Sequence, residues 1–229
     1  MPTPRILMVL TSHEQMGQTG KKTGFWLEEF AAPYYAFIDA DAEVTLASIK
    51  GGQPPIDPKS NDEESQTETT RRFMADSNSK QKLQQTLPID RVKEEDYDAI
   101  FLPGGHGTMW DFPDNPILVS LIETFDRKGK VVAAVCHAPA ALVSAKDTTG
   151  NPLVANRKVT GFTDSEERAV QLEEVVPFLL ETRLRELGAT FVGGADFQPL
   201  VCQSGTLITG QNPASSAPAA EMVLQTLVS

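Results

Sequence analysis

Short apolar runs, each closing in a polar or glycine-rich turn and followed by a longer stretch of helical character, recur along the chain. Arg5 to Leu10 (RILMVL) is the first, ending in Thr11 and Ser12 as expected of a buried parallel strand that delivers a loop. That loop carries Gly17, Gly20 and Gly24. From Phe25 to Asp39 bulky apolar residues return at helical spacing, Phe25, Leu27 and Phe30 early and Tyr34, Phe37 and Ile38 late, and Pro33 predicts a kink or a restart. Glu28 falls in the first turns among apolar neighbours. Val44 to Ile49 predicts a second strand, and the Pro-, Gly- and charge-rich KGGQPPIDPKSNDEESQTE that follows reads as a loop on the surface. Thr67 to Gln85 has helical character, and Ile89 to Val92 reads as a small strand.

The pattern sharpens at DYDAIFLPGGHG, where the strand Ala99 to Leu102 meets a Gly-rich turn, with a helix predicted from Pro116 to Lys128. GKVVAAVCHAPAAL places a fully apolar strand, Val131 to Val135, directly before Cys136 and a small-residue helix start. VTGFTDSEE is a strand end leading to a helix with Ser165 as its expected N-cap, and Leu180, Leu184 and Leu187 mark another helix up to Gly188. Ala189 to Val192, Leu200 to Gln203 and Leu207 to Thr209 read as late strands, and NPASS opens a final helix to Leu227. The alternation predicts one α/β domain over 1–229, built of right-handed βαβ units in a mostly parallel sheet with helices on both faces and a surface excursion at about 50–90.

A length of 229 residues suffices for one well-filled core. The net charge of −11, with 20 Lys plus Arg, disfavours nucleic acid, whose affinity comes from neutralising phosphates with a basic surface. No stretch approaches the roughly 18 uncharged apolar residues of a membrane helix, and the amino terminus runs into a strand without a cleavable site, so a cytosolic protein is expected. The two cysteines, Cys136 and Cys202, stand far apart, which indicates neither a disulfide framework nor a zinc knuckle. With the three histidines scattered at His13, His106 and His137, no metal is expected.

The candidate chemistry gathers at Cys136. A cysteine between the end of an apolar strand and a helix start is forced into a sharp turn that projects its sulfur over the carboxyl edge of the sheet, where open α/β folds bind ligands. N–H groups of the helix start favour a thiolate, and a carboxylic acid that stays protonated can donate to the sulfur; Glu28 is the candidate for that acid. His137 becomes a general base if an acid orients its ring, for which Glu166 and Glu167 are available and Glu167 is favoured. Glycines in LPGGHG let the N–H of Gly105 approach a ligand and form, with that of His137, an oxyanion hole. His106 reads as a turn residue or pocket wall, and Cys202 as structural.

LPGGHGTMWDFP, AAVCHAPAAL, the helix glutamate in TGFWLEEF, and VTGFTDSEE with ITGQNPASS together resemble the DJ/PfpI superfamily, the class I glutamine-amidotransferase-like proteins, over nearly the whole chain. His after the nucleophile, the extended loop after the second strand and the TGF segment are similar to the branch of heat-shock-associated, glutathione-independent glyoxalases. The resemblance implies a flavodoxin-like three-layer sandwich, a homodimer, and cofactor-free conversion of a small α-oxoaldehyde, methylglyoxal, to D-lactate; glyoxal to glycolate is left open. Cys136 would attack the aldehyde to give a hemithioacetal, a proton would move through an enediol carried by Glu28 or His137, and hydrolysis of the resulting thioester would release lactate. Cys-His-Ala-Pro departs from the Cys-His-Gly-Pro of many relatives by one small side chain, Ala138. One elbow hosts several chemistries, so another Cys-dependent hydrolase or deglycase, an isonitrile hydratase, an amidotransferase subunit needing a synthase partner, or a non-enzymatic stress chaperone or redox sensor are the competing expectations.

Overall fold

Strand β1 (Arg5–Leu10) is buried from Ile6 onward and pairs in parallel with β2 (Glu43–Ser48) on one side and with β4 (Ala99–Leu102) on the other. The computed structural model describes residues 3–228; Met1, Pro2 and Ser229, which the expected 1–229 span includes, lie outside the described residues. Beyond β2 stands the two-residue β3 (Leu87–Pro88), and beyond β4 stand β5 (Val131–Val135), β9 (Leu207–Gly210) and, antiparallel to it, β8 (Val201–Ser204). A small parallel pair, β6 (Lys158–Val159) and β7 (Thr190–Phe191), forms a separate sheet.

Strand side chains alternate between two layers of core, as a period of two requires. Leu7, Val9, Ile100, Leu102, Val132 and Ala134 face one layer, closed by helix α5 (Pro116–Arg127) through Leu118, Ile122 and Phe125. Ile6, Met8, Phe101, Ala133 and Val135 face the other, closed by α1 (Leu27–Asp39) through Phe30, Tyr34 and Phe37 and by α8 (Ser216–Leu227) through Ala219, Ala220 and Val223. Burying both faces explains why β4 and β5 are uniformly apolar rather than alternating. The result is the flavodoxin-like sandwich of helices, mostly parallel sheet and helices.

Several boundaries differ from the sequence expectation for identifiable reasons. Helix α1 continues through Pro33 without a restart, forgoing only the bond that the missing N–H would have made to the Glu29 carbonyl. The helical stretch 67–85 is two helices, α2 (Glu68–Ala75) and α3 (Ser77–Gln84), because the Asp76 carboxylate caps the second by accepting from the N–H groups of Asn78 and Ser79. The expected strand at 89–92 is instead a 3-10 turn, Ile89–Arg91, and pairing is confined to Leu87–Pro88. Thr163, not Ser165, caps α6 (Asp164–Ala169), in a reciprocal box with Glu166. Short helices α4 (Thr108–Asp111) and α7 (Leu180–Glu186) complete the set.

The 50–90 excursion is more than surface. Its Phe73 is buried edge-on against Phe30 of α1, with ring centroids 5.3 Å apart, and segment 55–57 adds a bridge between Ile56 and Phe25 just before that helix. The N–H of Phe25 donates to Pro55 and the Thr23 hydroxyl to Asp57. The excursion thereby fixes where α1 begins, and with it the direction of each glutamate in the first turn.

Candidate active site

The strand order places β4 and β2 on opposite sides of β1, so the chain turns opposite ways after β1, the kind of switch point at whose carboxyl edge open α/β folds bind ligands. Cys136 follows β5 at that edge with φ of 58°, a left-handed conformation that costs a non-glycine residue roughly 1–3 kcal/mol. Neighbours over-determine it: the N–H of Cys136 donates to the Gly210 carbonyl at 2.9 Å, and its carbonyl accepts from Phe162 at 2.8 Å. The sulfur is thereby held in place, and the residue is 3 % exposed.

His137 Nδ1 lies 3.2 Å from Cys136 Sγ, and its Nε2 lies 2.7 Å from Glu167 Oε2. The other carboxylate oxygen, Oε1, lies 2.7 Å from Nε2 of His106, whose ring centroid is 4.0 Å from that of His137. Burial pushes the Glu167 carboxyl up, but its ionised form is favoured by the neighbouring His137 and by the hydrogen bonds from both imidazoles, which outweigh burial and hold the group well below the usual carboxylate range. An ionised carboxylate only accepts, so both Nε2 atoms carry hydrogen, and in the neutral form of each ring Nδ1 presents the lone pair. Burial, with the nearby His106, lowers the His137 pKa, so this base rests neutral with its lone pair toward the sulfur. The chain therefore brings Cys136, His137 and Glu167 together as a triad, and adds His106, read from the sequence as no more than a turn or wall residue, as a second imidazole on the same carboxylate.

Glu166, the other candidate acid, points elsewhere. Its Oε2 accepts from the N–H and hydroxyl of Thr163, and its Oε1 accepts from the N–H of Phe197 and the amide of Asn212. Four donors make it the tie between α6 and the loops around the site.

Glu28 is also displaced from the expected role. Its Oε2 accepts from the hydroxyls of Thr67 and Thr69 at 2.5 and 2.6 Å, so the side chain is turned outward into the excursion. The carboxyl beside the thiol belongs to Glu29, one residue on and about 100° around the helix. Glu29 is fully buried; its Oε2 accepts from the N–H of Gly104 at 2.8 Å, while Oε1 is buried without a hydrogen-bond partner, and the carboxyl and the Cys136 thiol each shift the other's titration. Burial pushes the Glu29 pKa up to about 8, against the lowering influence of the neighbouring Cys136 thiol and of the Gly104 N–H. Burial likewise pushes the Cys136 thiol up, and an ionised Glu29 would push it further. Two buried groups in one site compete for a single negative charge, so the sulfur can ionise only while Glu29 keeps its proton.

Gly105 has φ of 107°, and a β-carbon there would sit 2.5 Å from the Gly24 carbonyl. Among the described residues, the N–H groups of Gly105 and His137 donate to no protein acceptor, which leaves both free for a developing oxyanion. At Gly104 the constraint is tighter. A β-carbon would lie 2.5 Å from the Val135 carbonyl, 2.6 Å from Glu29 Oε2 and 2.9 Å from the His137 nitrogen. We expect Gly104→Ala to lose about 1–3 kcal/mol in urea unfolding and at least about tenfold in turnover, because the clash is with backbone and with Glu29 itself.

His106, His137 and Glu167 form a candidate metal-ligand trio, their donor atoms within 4.8 Å of one another, but the two 2.7 Å contacts already use the carboxylate oxygens and both Nε2 atoms. Among the described residues no helix is long and apolar enough to cross a membrane.

Residues 22–226 match the DJ-1/PfpI family. Glyoxalase 3 of Candida albicans is 30 % identical over 96 % of this chain and 97 % of its own length. The glutathione-independent glyoxalase HSP31 of Saccharomyces cerevisiae is 30 % identical over 94 % of each. Among solved structures, the Francisella tularensis Rapid Encystment Protein of 24 kDa superposes with a TM-score of 0.94 at 40 % identity, covering 98 % of this chain and 99 % of that one.

Proposed function

The chain belongs to the DJ-1/PfpI family, and on that premise we propose that it is a glutathione-independent glyoxalase that converts methylglyoxal to D-lactate on Cys136. Likeness to two yeast glyoxalases over nearly the full length supports the activity. The observation that carries the mechanism is a buried carboxyl, Glu29, and a buried imidazole, His137, beside one buried thiol, with burial raising the pKa of the acid and lowering that of the base.

Attack begins as His137 Nδ1 takes the thiol proton and sulfur bonds to the aldehyde carbon; the imidazolium, balanced by Glu167, returns that proton to the new oxyanion. The product is a hemithioacetal with Glu29 still protonated and His137 neutral again. His137 then takes the proton from the sulfur-bearing carbon while Glu29 gives its proton to the adjacent carbonyl oxygen, making an enediol. In the second half His137 delivers its proton to the neighbouring carbon, and Glu29 recovers one from the hydroxyl on the sulfur-bearing carbon, which becomes a thioester carbonyl. Both groups end as they began, and water then releases lactate. The reading is of a cofactor-free, cytosolic homodimer acting on small α-oxoaldehydes.

The test is consumption of methylglyoxal without glutathione, with chiral detection of lactate. D-lactate formation is expected; a wild-type protein that makes none refutes the assignment.

A further inference from the structure

We propose that His106 is a second catalytic base, the group that activates the water that hydrolyses the thioester on Cys136. The inference rests on the thioester pathway above. Glu167 holds the two imidazoles through separate oxygens, each at 2.7 Å, so a neutral His106 turns its Nδ1 lone pair away from the carboxylate, as a neutral His137 does. Their surroundings differ. His137 Nδ1 is committed to the sulfur at 3.2 Å and its side chain is 1 % exposed, whereas His106 Nδ1 has no protein partner among the described residues and its side chain keeps 10 % exposure. Of the two bases, His106 is the one that incoming water can reach.

Its place on the chain fits the step. His106 directly follows Gly105, whose N–H is free to bind the thioester carbonyl oxygen, and its ring lies 4.0 Å from that of His137. One carboxylate charge supports one imidazolium at a time, so the bases take turns, His137 during attack and isomerisation and His106 during release. In that release Nδ1 of His106 takes one proton from water as the hydroxide oxygen bonds to the acyl carbon. The carbon–sulfur bond then breaks with its electron pair going to sulfur, and the proton held by the imidazoles returns to re-form the thiol while lactic acid loses its own to solvent.

His106→Gln tests this, because its amide N–H can still donate to Glu167 but cannot accept a proton from water. We expect lactate turnover to fall by about 10²-fold, with a burst of one equivalent of methylglyoxal consumed and an adduct left on Cys136 that hydroxylamine releases as lactohydroxamate. A thioester gives that product and a hemithioacetal does not. Added imidazole should speed His106→Ala, which provides the second reading if the glutamine variant folds poorly. Turnover of His106→Gln within a few-fold of wild type, or slowed turnover with no hydroxylamine-reactive adduct, overturns the inference while the glyoxalase assignment stands. A wild-type enzyme that makes no lactate overturns both.

Discussion

Cys136→Ala removes lactate formation from methylglyoxal, by about 10⁴-fold or more, and barely changes the melting temperature. The size of the loss follows from the pathway, in which every intermediate from hemithioacetal to thioester is bonded to this sulfur. The small stability effect follows from the site, since alanine fills most of the same buried space and inherits the same left-handed backbone at φ of 58°. Chiral lactate detection beside a thermal melt gives both numbers at once. Lactate persisting in a folded Cys136→Ala protein would mean that another group makes the bond to the aldehyde, and the triad would lose its meaning.

Glu29→Gln and Glu28→Gln, adjacent in sequence, should behave oppositely. Glutamine at 29 keeps the size and an N–H for the sulfur but carries no proton to the carbonyl oxygen, so isomerisation should slow by about 10³-fold and hemithioacetal should accumulate. Glutamine at 28 leaves turnover within a few-fold, because that carboxylate only accepts from Thr67 and Thr69; its effect is on how firmly the excursion grips α1. The pH dependence has a definite sign. With its pKa near 8, Glu29 is protonated below that value and ionised above it, so wild-type turnover should fall as pH rises through about 8, when the acid is lost and its charge opposes the thiolate. On the acid side, turnover falls only once His137 is protonated, and its lowered pKa moves that limb below the ordinary histidine range. Steady-state rates across pH 5 to 9 in wild type and Glu28→Gln should superpose in shape; a flat profile through pH 8 would remove Glu29 from the proton path.

What the amino-acid pattern made legible is instructive beside what it hid. Ala99–Leu102 and Val131–Val135 are bounded as read, because a strand buried on both faces is an unbroken apolar run with turn residues at its ends. Cys136 and His137 were visible at once, since the strand end and the helix start bracket them. The choice of Glu28 over Glu29 failed by one helical step. Glu28 stands three turns before the exposed Asp39, whereas Glu29 stands on the stripe of the buried Pro33 and Phe37, and that periodicity was present in the sequence. No such signal exists for His106, which meets Glu167 of α6 only through the tertiary fold that sets β4 beside β5. The 3-10 turn at 89–91 and the Thr163 cap were missed because each depends on a local hydrogen bond, not on hydrophobic spacing.

The residues that meet around the thiol come from segments as far apart as Glu29 and Glu167, joined through a sheet whose order jumps across itself. Closing such distant segments is slow and comes late, since loop-closure entropy must be overcome before any of these contacts forms. Aldehyde turnover therefore requires every one of these segments to be docked, which makes enzymatic rate a clock for the completion of folding.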